Sequence, residues 1–279
     1  MPNSGFRRDL YRGTAACYDE FRLPYPQPLV RELVVRVGAD GQGRLMDLAC
    51  GTGQLGFVMH EHFAQTWAVD QEPDMVEFAR AKANAAGIAD MKFVTAAAED
   101  LTTPERAFDV IVVGNAFHRL QRDVVAARMR SWLCDGGWVA LIWSDGTAAG
   151  ETTGAQAWQV TLAELIRRWR ARLDAAESDQ SGPRVPTWYS QDRRDRPDVD
   201  VMRDAGLDFV ESRQFVVEHD WTADSLIGNM FSTSVLSRAA LGELARDFEA
   251  EVRQELAAES EAGVFRQEVS FAYELFRRR

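Results

Sequence analysis

From Leu45 to Trp143 short apolar runs alternate with amphipathic stretches, the pattern of a parallel sheet with helices on its faces. Leu45–Ala49 is predicted as the first strand, and Leu55, Met59, His62 and Phe63 fall on one stripe of the helix behind it. Thr66–Asp70, Met91–Val94, Val110–Val113 and Trp138–Trp143 read as four further strands. The unbroken run Val110-Ile111-Val112-Val113 suits a strand buried on both faces. Pro73 marks a helix start, because the amide it lacks would be unpaired there anyway.

After Trp143 the rhythm changes. Gly146–Gly154 is a small-residue connector, and Trp158, Leu162, Leu165, Ile166, Trp169 and Leu173 then recur at helical spacing. The polar stretch Asp174–Pro197 reads as a long loop. Phe209–His219 and Val264–Phe276 are strand-like, and Leu241, Leu244, Phe248, Val252 and Leu256 mark an amphipathic helix between them. These patterns predict an α/β fold in one domain spanning residues 1–279, with a core at 40–146. Residues 1–35 and 147–260 are expected to form a cap and acceptor pocket, with 209–219 and 264–276 as closing strands.

Composition narrows the class. Hydrophobic residues make up 46% and charged residues 27% of the 279, which excludes a disordered chain or a coiled-coil rod. No apolar run approaches the ~18 residues of a membrane span, and Met1–Arg8 carries no apolar stretch of a secretory signal. Cys17, Cys50 and Cys134 lie too far apart for a disulfide framework or a zinc cluster. A reducing cytoplasm is therefore the expected location. The formal charge of −11 favours a small-molecule partner over a nucleic-acid backbone, which is usually gripped by a basic face.

The richest segment is Leu45-Met46-Asp47-Leu48-Ala49-Cys50-Gly51-Thr52-Gly53-Gln54-Leu55-Gly56. Here Gly51-x-Gly53-x-x-Gly56 joins a strand to a helix, and Asp70 ends the next strand. Glycine allows a tight turn and a close ligand, and a carboxylate at Asp70 can accept both hydroxyls of a ribose. Two cofactor classes fit: a nicotinamide dinucleotide, with its pyrophosphate on the helix start, and S-adenosylmethionine, which has no phosphate. Asp47 leans towards the second, since a carboxylate there can act on an ammonium and does little for a pyrophosphate.

The segment resembles the class I S-adenosylmethionine-dependent methyltransferases. The resemblance continues in order through Val69-Asp70, Ala98-Glu99-Asp100-Leu101, Phe108–His118 and Leu133-Cys134-Asp135-Gly136-Gly137-Trp138. Tyr18-Asp19-Glu20-Phe21-Arg22-Leu23-Pro24-Tyr25-Pro26 resembles the lead-in of bacterial small-molecule members. The resemblance implies a Rossmann-like, mainly parallel seven-stranded sheet with helices on both faces and a helical cap. It implies that Asp47 and the Gly51–Gly53 loop face the methionine part of the cofactor and that Asp70 takes the ribose. Met75 would pack on the adenine with Ala98 and Glu99 at its amino edge, and Asn115 and Ala116 would pass beneath the sulfonium. Tyr18, Arg22, Ala49 and Gln71 complete the cofactor set.

Methyl transfer to a small molecule, most readily at oxygen, follows as the expected activity. His118, after the fourth strand, is the candidate base, because imidazole titrates near working pH. His60 and His62 are two apart on a helix and do not share a face, so they make a poor metal pair. No metal is expected; Asn115 and Asp145 could offer oxygen ligands to magnesium, but no third joins them. Tyr11, Tyr18, Tyr25, Trp158, Trp188, Tyr189, Trp221, Met230 and Phe231 are the expected acceptor-pocket wall, with Trp188-Tyr189 in a lid. Arg193, Arg194 and Arg213 could receive an anionic acceptor. An RNA or protein methyltransferase, a nicotinamide oxidoreductase on the same glycine loop and a cofactor-binding module without catalysis are the competing readings.

Overall fold

The computed structural model describes residues 11–145, 155–177 and 195–279. The strands are β1 (Arg44–Leu48), β2 (Gln65–Asp70), β3 (Met91–Thr95), β4 (Phe108–Gly114), β5 (Leu133–Ser144), β6 (Leu207–Thr222) and β7 (Val264–Arg278). They form one sheet in the order β3-β2-β1-β4-β5-β7-β6. Strands β1 to β5 pair in parallel, and β7 runs antiparallel to both β5 and β6. The order reverses between β1 and β4, and at such a switch point the flanking loops leave a crevice beyond the carboxyl ends of the strands.

Side-chain alternation along each strand feeds two cores. Met46, Leu48, Ile111, Val113, Val139 and Leu141 pack with α5 (Arg122–Trp132) and α7 (Asp198–Asp204). Leu45, Val110, Val112, Ala140 and Ile142 pack with α2 (Gln27–Val37) and α3 (Gln54–Met59) on the opposite face. Pairs such as Val110 and Ile111 therefore serve different layers, which is why the central strands are apolar at every position. Helix α2 lies on the sheet itself, so residues 27–37 join the core layer. Helix α4 (Pro73–Ala86) starts on Pro73, as predicted, and buries Met75, Val76, Ala79 and Ala83.

The cap has a core of its own. Trp158, Leu162, Leu165, Trp169 and Leu173 on α6 (Ala157–Glu177) meet α8 (Ala223–Phe231) and α10 (Ala245–Glu259). The Trp169 ring stands edge-on to Phe248 with centroids 5.3 Å apart. Helix α8 opens with a reciprocal cap, in which Thr222 Oγ1 accepts from the Ser225 amide at 3.1 Å and Ser225 Oγ accepts from the Thr222 amide at 2.8 Å. Helix α1 (Ala15–Phe21) lies between this cap and the cofactor core. No helix among the described residues is long and apolar enough to cross a membrane.

Several predicted elements change. Ala49 is not the end of β1, because its φ of +55° has left the extended region. Helix α3 stops at Met59, and His60–His62 tighten into a 3₁₀ turn. Asp174–Glu177 are helical instead of loop, as alanine and charged residues continue α6 at little cost. The stripe from Leu241 to Leu256 is divided into α9 (Arg238–Leu241), a 3₁₀ turn and α10, with Gly242 at a φ of +54° between the first two.

Candidate active site

The glycine loop turns because three of its residues have positive φ: Ala49 at +55°, Gly51 at +55° and Gly53 at +83°. Asn115, at the end of the neighbouring β4, has a φ of +50°. Left-handed backbone is strained for alanine and tolerable for asparagine. Two of the three non-glycine residues with positive φ among those described thus flank the switch-point crevice. Such strain concentrates where a ligand is to be held. At Gly51 a side chain would press on Tyr18 at 3.3 Å, and at Gly53 on the Phe57 ring at 3.0 Å.

Asp70 anchors the loop from β2. Its Oδ2 accepts from the Gly51 amide at 2.8 Å and its Oδ1 from the Glu72 amide at 2.9 Å. The Gln71 amide also bonds to this carboxylate, which keeps lone-pair capacity for a hydroxyl. Burial raises the pKa of Asp70, against the amide bonds that lower it. Asp47 is 1% exposed beneath the loop and accepts from the Gly56 amide at 2.8 Å. Burial pushes its carboxyl up to about 7, partly offset by the Gly56 bond and reinforced by the charge of Asp70. The Gly56 amide lies in the first turn of α3, so a buried carboxylate already occupies a donor that a pyrophosphate would need. Gln71 is exposed beside Asp70.

The amino-terminal lead-in closes over this loop. Tyr18 lies against Gly51, the Arg22 guanidinium is 5.0 Å from the Tyr18 ring centre, and Tyr11 meets Tyr18 edge-on at 6.1 Å. Arg22 reaches the Ser232 carbonyl in the cap at 3.4 Å. On the other side, Asn115 bridges β4 to β5: its Oδ1 accepts from the Ser144 amide at 2.9 Å and its Nδ2 donates to Ser144 Oγ at 3.2 Å. His118 sits in the 3₁₀ turn Phe117–Arg119, where Arg119 Nε donates to its Nε2 at 3.4 Å. Arg119 also donates to Ser234 Oγ in the cap at 3.3 Å.

Other predicted residues lie elsewhere in the packing. Met75 is buried on α4 at 1% exposure, and Ala98 is buried in the α5-side core with half-buried Ala116 against it. The Glu99 carboxylate accepts from the Gln121 amide at 2.8 Å, at the start of α5. Trp158, Trp221, Met230 and Phe231 are not pocket wall; they form the interior of the cap, and Trp221 Nε1 donates to Gln267 Oε1 at 2.9 Å. Arg213 faces away from the crevice, paired with Glu32 at 3.3 Å and Glu211 at 3.7 Å. Trp188, Tyr189, Arg193 and Arg194, with the predicted lid and the 146–154 connector, fall outside the described residues. Among the described residues no three His, Cys, Asp or Glu side chains converge on a metal position. The thiol of Cys50 is buried and its pKa pushed well above the usual value, which leaves it a poor nucleophile.

Sheet order, glycine loop and the Asp70 anchor together define a class I methyltransferase fold. Residues 45–137 match the family model described as a methyltransferase domain. Over 121 residues the chain is 29% identical to CRG1 of Saccharomyces cerevisiae, assigned as an S-adenosylmethionine-dependent methyltransferase, covering 42% of this chain and 40% of that protein. It is 27% identical over 106 residues to YqeM of Bacillus subtilis, assigned as a methyltransferase, covering 37% and 41%. The matched segment thus spans about two fifths of each relative's length. A solved structure from Anaeromyxobacter dehalogenans, assigned as a type II methyltransferase, superposes with a TM-score of 0.63 at 21% identity, covering 93% of this chain and 98% of that one. The resemblance read from the glycine loop and the later motifs is borne out by these matches, and the yeast relative is assigned as dependent on S-adenosylmethionine.

The residues present fit that cofactor. Thr52 Oγ1, within the loop, and Arg22 Nε, in the lead-in, are buried without a hydrogen-bond partner, and buried donors of this kind are ordinarily satisfied. Asp70 offers lone pairs to a ribose, and Asp47 places a carboxylate beneath a loop that would meet an ammonium. Ala49 and Asn115, expected in the cofactor set, carry positive φ, whereas Thr52 was not among the expected residues and only its place between Gly51 and Gly53 hinted at it.

Proposed function

We propose that this protein is an S-adenosylmethionine-dependent methyltransferase acting on a small-molecule acceptor, most readily at oxygen. The observation that carries the reading is the Asp47 carboxylate seated on the Gly56 amide below a loop tied to Asp70. That arrangement favours a cationic, phosphate-free nucleoside over a dinucleotide. A small acceptor is supported by the cap, whose Ser232–Ser234 turn accepts hydrogen bonds from Arg22 of the lead-in and Arg119 of the turn after β4. The acidic net charge of −11 adds to this, because nucleic-acid binders usually present a basic face to the phosphates. A cytoplasmic location belongs to the same reading.

When bound, the cofactor supplies a methyl group on a positively charged sulfur. The chain's part is alignment: Asp70 and the glycine loop fix the nucleoside, and the cap excludes water and orients the acceptor for in-line attack. We assign the base role for a hydroxyl acceptor to His118, on the turn after β4; Arg119 Nε donates to its Nε2 in the structure, so that contact has to open before this nitrogen can take a proton.

The test is incubation with methyl-labelled S-adenosylmethionine and a library of phenols, carboxylic acids and amines, beside total RNA and protein. Label on an oxygen of a small molecule is expected. Label confined to RNA or protein would overturn the acceptor class. With the acceptor found, His118→Gln should lower turnover ~10²-fold and remove the acidic limb of the pH–rate profile. An unshifted profile at near-normal rate would remove His118 as the base.

A further inference from the structure

Tyr25 was expected in the acceptor wall for its aromatic ring, yet its hydroxyl is buried at the carboxyl end of β4. The side chain is 8% exposed, and its ring packs edge-on to Phe271 at 6.2 Å. Its hydroxyl lies over the backbone of Gly114, where any Cβ would overlap it, so the carboxyl end of β4 is shaped to admit the phenol. Asn115 Nδ2 donates to the phenol oxygen over a long 3.5 Å. The phenolic hydrogen itself has no acceptor among the described residues. Burial and the nearby Tyr18 and Asp47 raise its pKa well above 10, so the group is a neutral donor, not a base.

This donor does not stand alone. Arg22 Nε, from the same lead-in segment, and Thr52 Oγ1, from the glycine loop, are also buried without partners. Arg22 and Tyr25 share the lead-in, and Thr52 belongs to the glycine loop that Tyr18 covers, so these donors come from the segments that meet at the carboxyl end of the central strands; the other two buried atoms without partners, Thr66 Oγ1 and Arg278 Nε, lie outside those segments. The Asp47 carboxylate, close enough to act on the Tyr25 phenol, is held by Gly56 instead.

We propose that Tyr25 is a positioning residue whose hydroxyl donates to the amino-acid carboxylate of the bound cofactor, fixing the methionine arm over the end of β4. This moves Tyr25 from the acceptor wall, where its aromatic character had placed it, to the cofactor floor. The inference rests on the S-adenosylmethionine reading. A neutral phenol suits the task, because it orients a carboxylate without adding charge beside a sulfonium.

The test compares Tyr25→Phe with the parent protein in three measurements: melting temperature without ligand, calorimetry with S-adenosylhomocysteine, and calorimetry with 5′-methylthioadenosine, which lacks the amino-acid arm. The phenyl ring keeps the packing on Phe271 and removes the unsatisfied donor together with the long bond from Asn115, whose Nδ2 keeps Ser144 Oγ as its partner. The ligand-free melting temperature should therefore be unchanged or slightly higher. S-adenosylhomocysteine should bind roughly tenfold more weakly or worse, as for loss of a bond to a charged acceptor, and 5′-methylthioadenosine should bind as before. Equal weakening of both ligands, unchanged S-adenosylhomocysteine affinity, or a clear fall in ligand-free melting temperature would each overturn the proposal. If the parent protein binds neither ligand, the cofactor reading itself falls.

Discussion

Asp47 is a single side chain on which charge, burial and the loop all bear. An acid whose pKa is about 7 in the folded protein and near 4 when unfolded weakens folding once it ionises. The penalty is fully present above about pH 7, fades as pH falls through that value, and vanishes below the unfolded pKa. Asp47→Asn keeps an oxygen for the Gly56 amide and removes the charge. It should raise the ligand-free melting temperature at pH 8 and have little effect near pH 4, as thermal denaturation across that range would show. An ammonium brought near Asp47 stabilises its ionised form, so cofactor binding near pH 6.5 should release protons. Calorimetry in two buffers of different ionisation enthalpy measures that release, and it should shrink in Asp47→Asn. Identical proton release in both proteins would place the titrating group elsewhere.

Some residues of the site could be read from the chain and others could not. Gly51, Gly53 and Asp70 announce themselves by spacing, because a strand-to-helix turn with a carboxylate on the next strand follows from local sequence. Tyr25 does not, since its contact with Asn115 joins positions 90 residues apart. Glu99 entered through the family resemblance, as a neighbour of the adenine, and in the fold its carboxylate holds the Gln121 amide just before α5.

At the level of elements, α1 couples the two halves of the molecule. Its Tyr18 lies on the glycine loop, and Asp19 pairs with Lys82 of α4 at 2.7 Å. Its Phe21 ring fills a notch over Gly228 of α8, and the Phe21 carbonyl accepts from Asn229 Nδ2 at 3.0 Å. A methyl group at Gly228 would overlap that ring. Gly228→Ala should therefore cost about 1–3 kcal/mol through overpacking, against a helix-propensity gain of about 1 kcal/mol. Denaturant unfolding should show net destabilisation, and S-adenosylhomocysteine affinity should fall as Tyr18 and Arg22 are displaced. Full stability together with full affinity would show that α1 and α8 move independently.

The elements differ in how plainly they show in sequence. Strands buried on both faces read as apolar runs, and all five core strands were found. Helix α8 was missed because it is buried on nearly every side, Leu226 to Phe231 inclusive, and so has no polar face to set a period. The Thr222-x-x-Ser225 cap was the available signal. The end of α6 was missed because its last turns carry polar side chains that a period of apolar residues cannot detect.

At the scale of the whole molecule, a parallel sheet with a switch point between β1 and β4 can serve either of two nucleotide cofactors, so the fold alone leaves the chemistry open. What separates them is charge at the loop. Asp47 on the Gly56 amide, with Asp70 beside it, makes a floor hostile to a diphosphate and favourable to a cationic methionine arm. In the proposed reading the lead-in then supplies donors, in Arg22 and Tyr25, from outside the matched core at 45–137.

Calorimetry of one purified sample against S-adenosylhomocysteine and against NAD tests this account most directly. S-adenosylhomocysteine should bind, NAD should give no measurable heat, and Asp70→Ala should weaken the first by roughly tenfold or more through loss of charge-assisted bonds to the ribose. Tight NAD binding with no response to S-adenosylhomocysteine would contradict it.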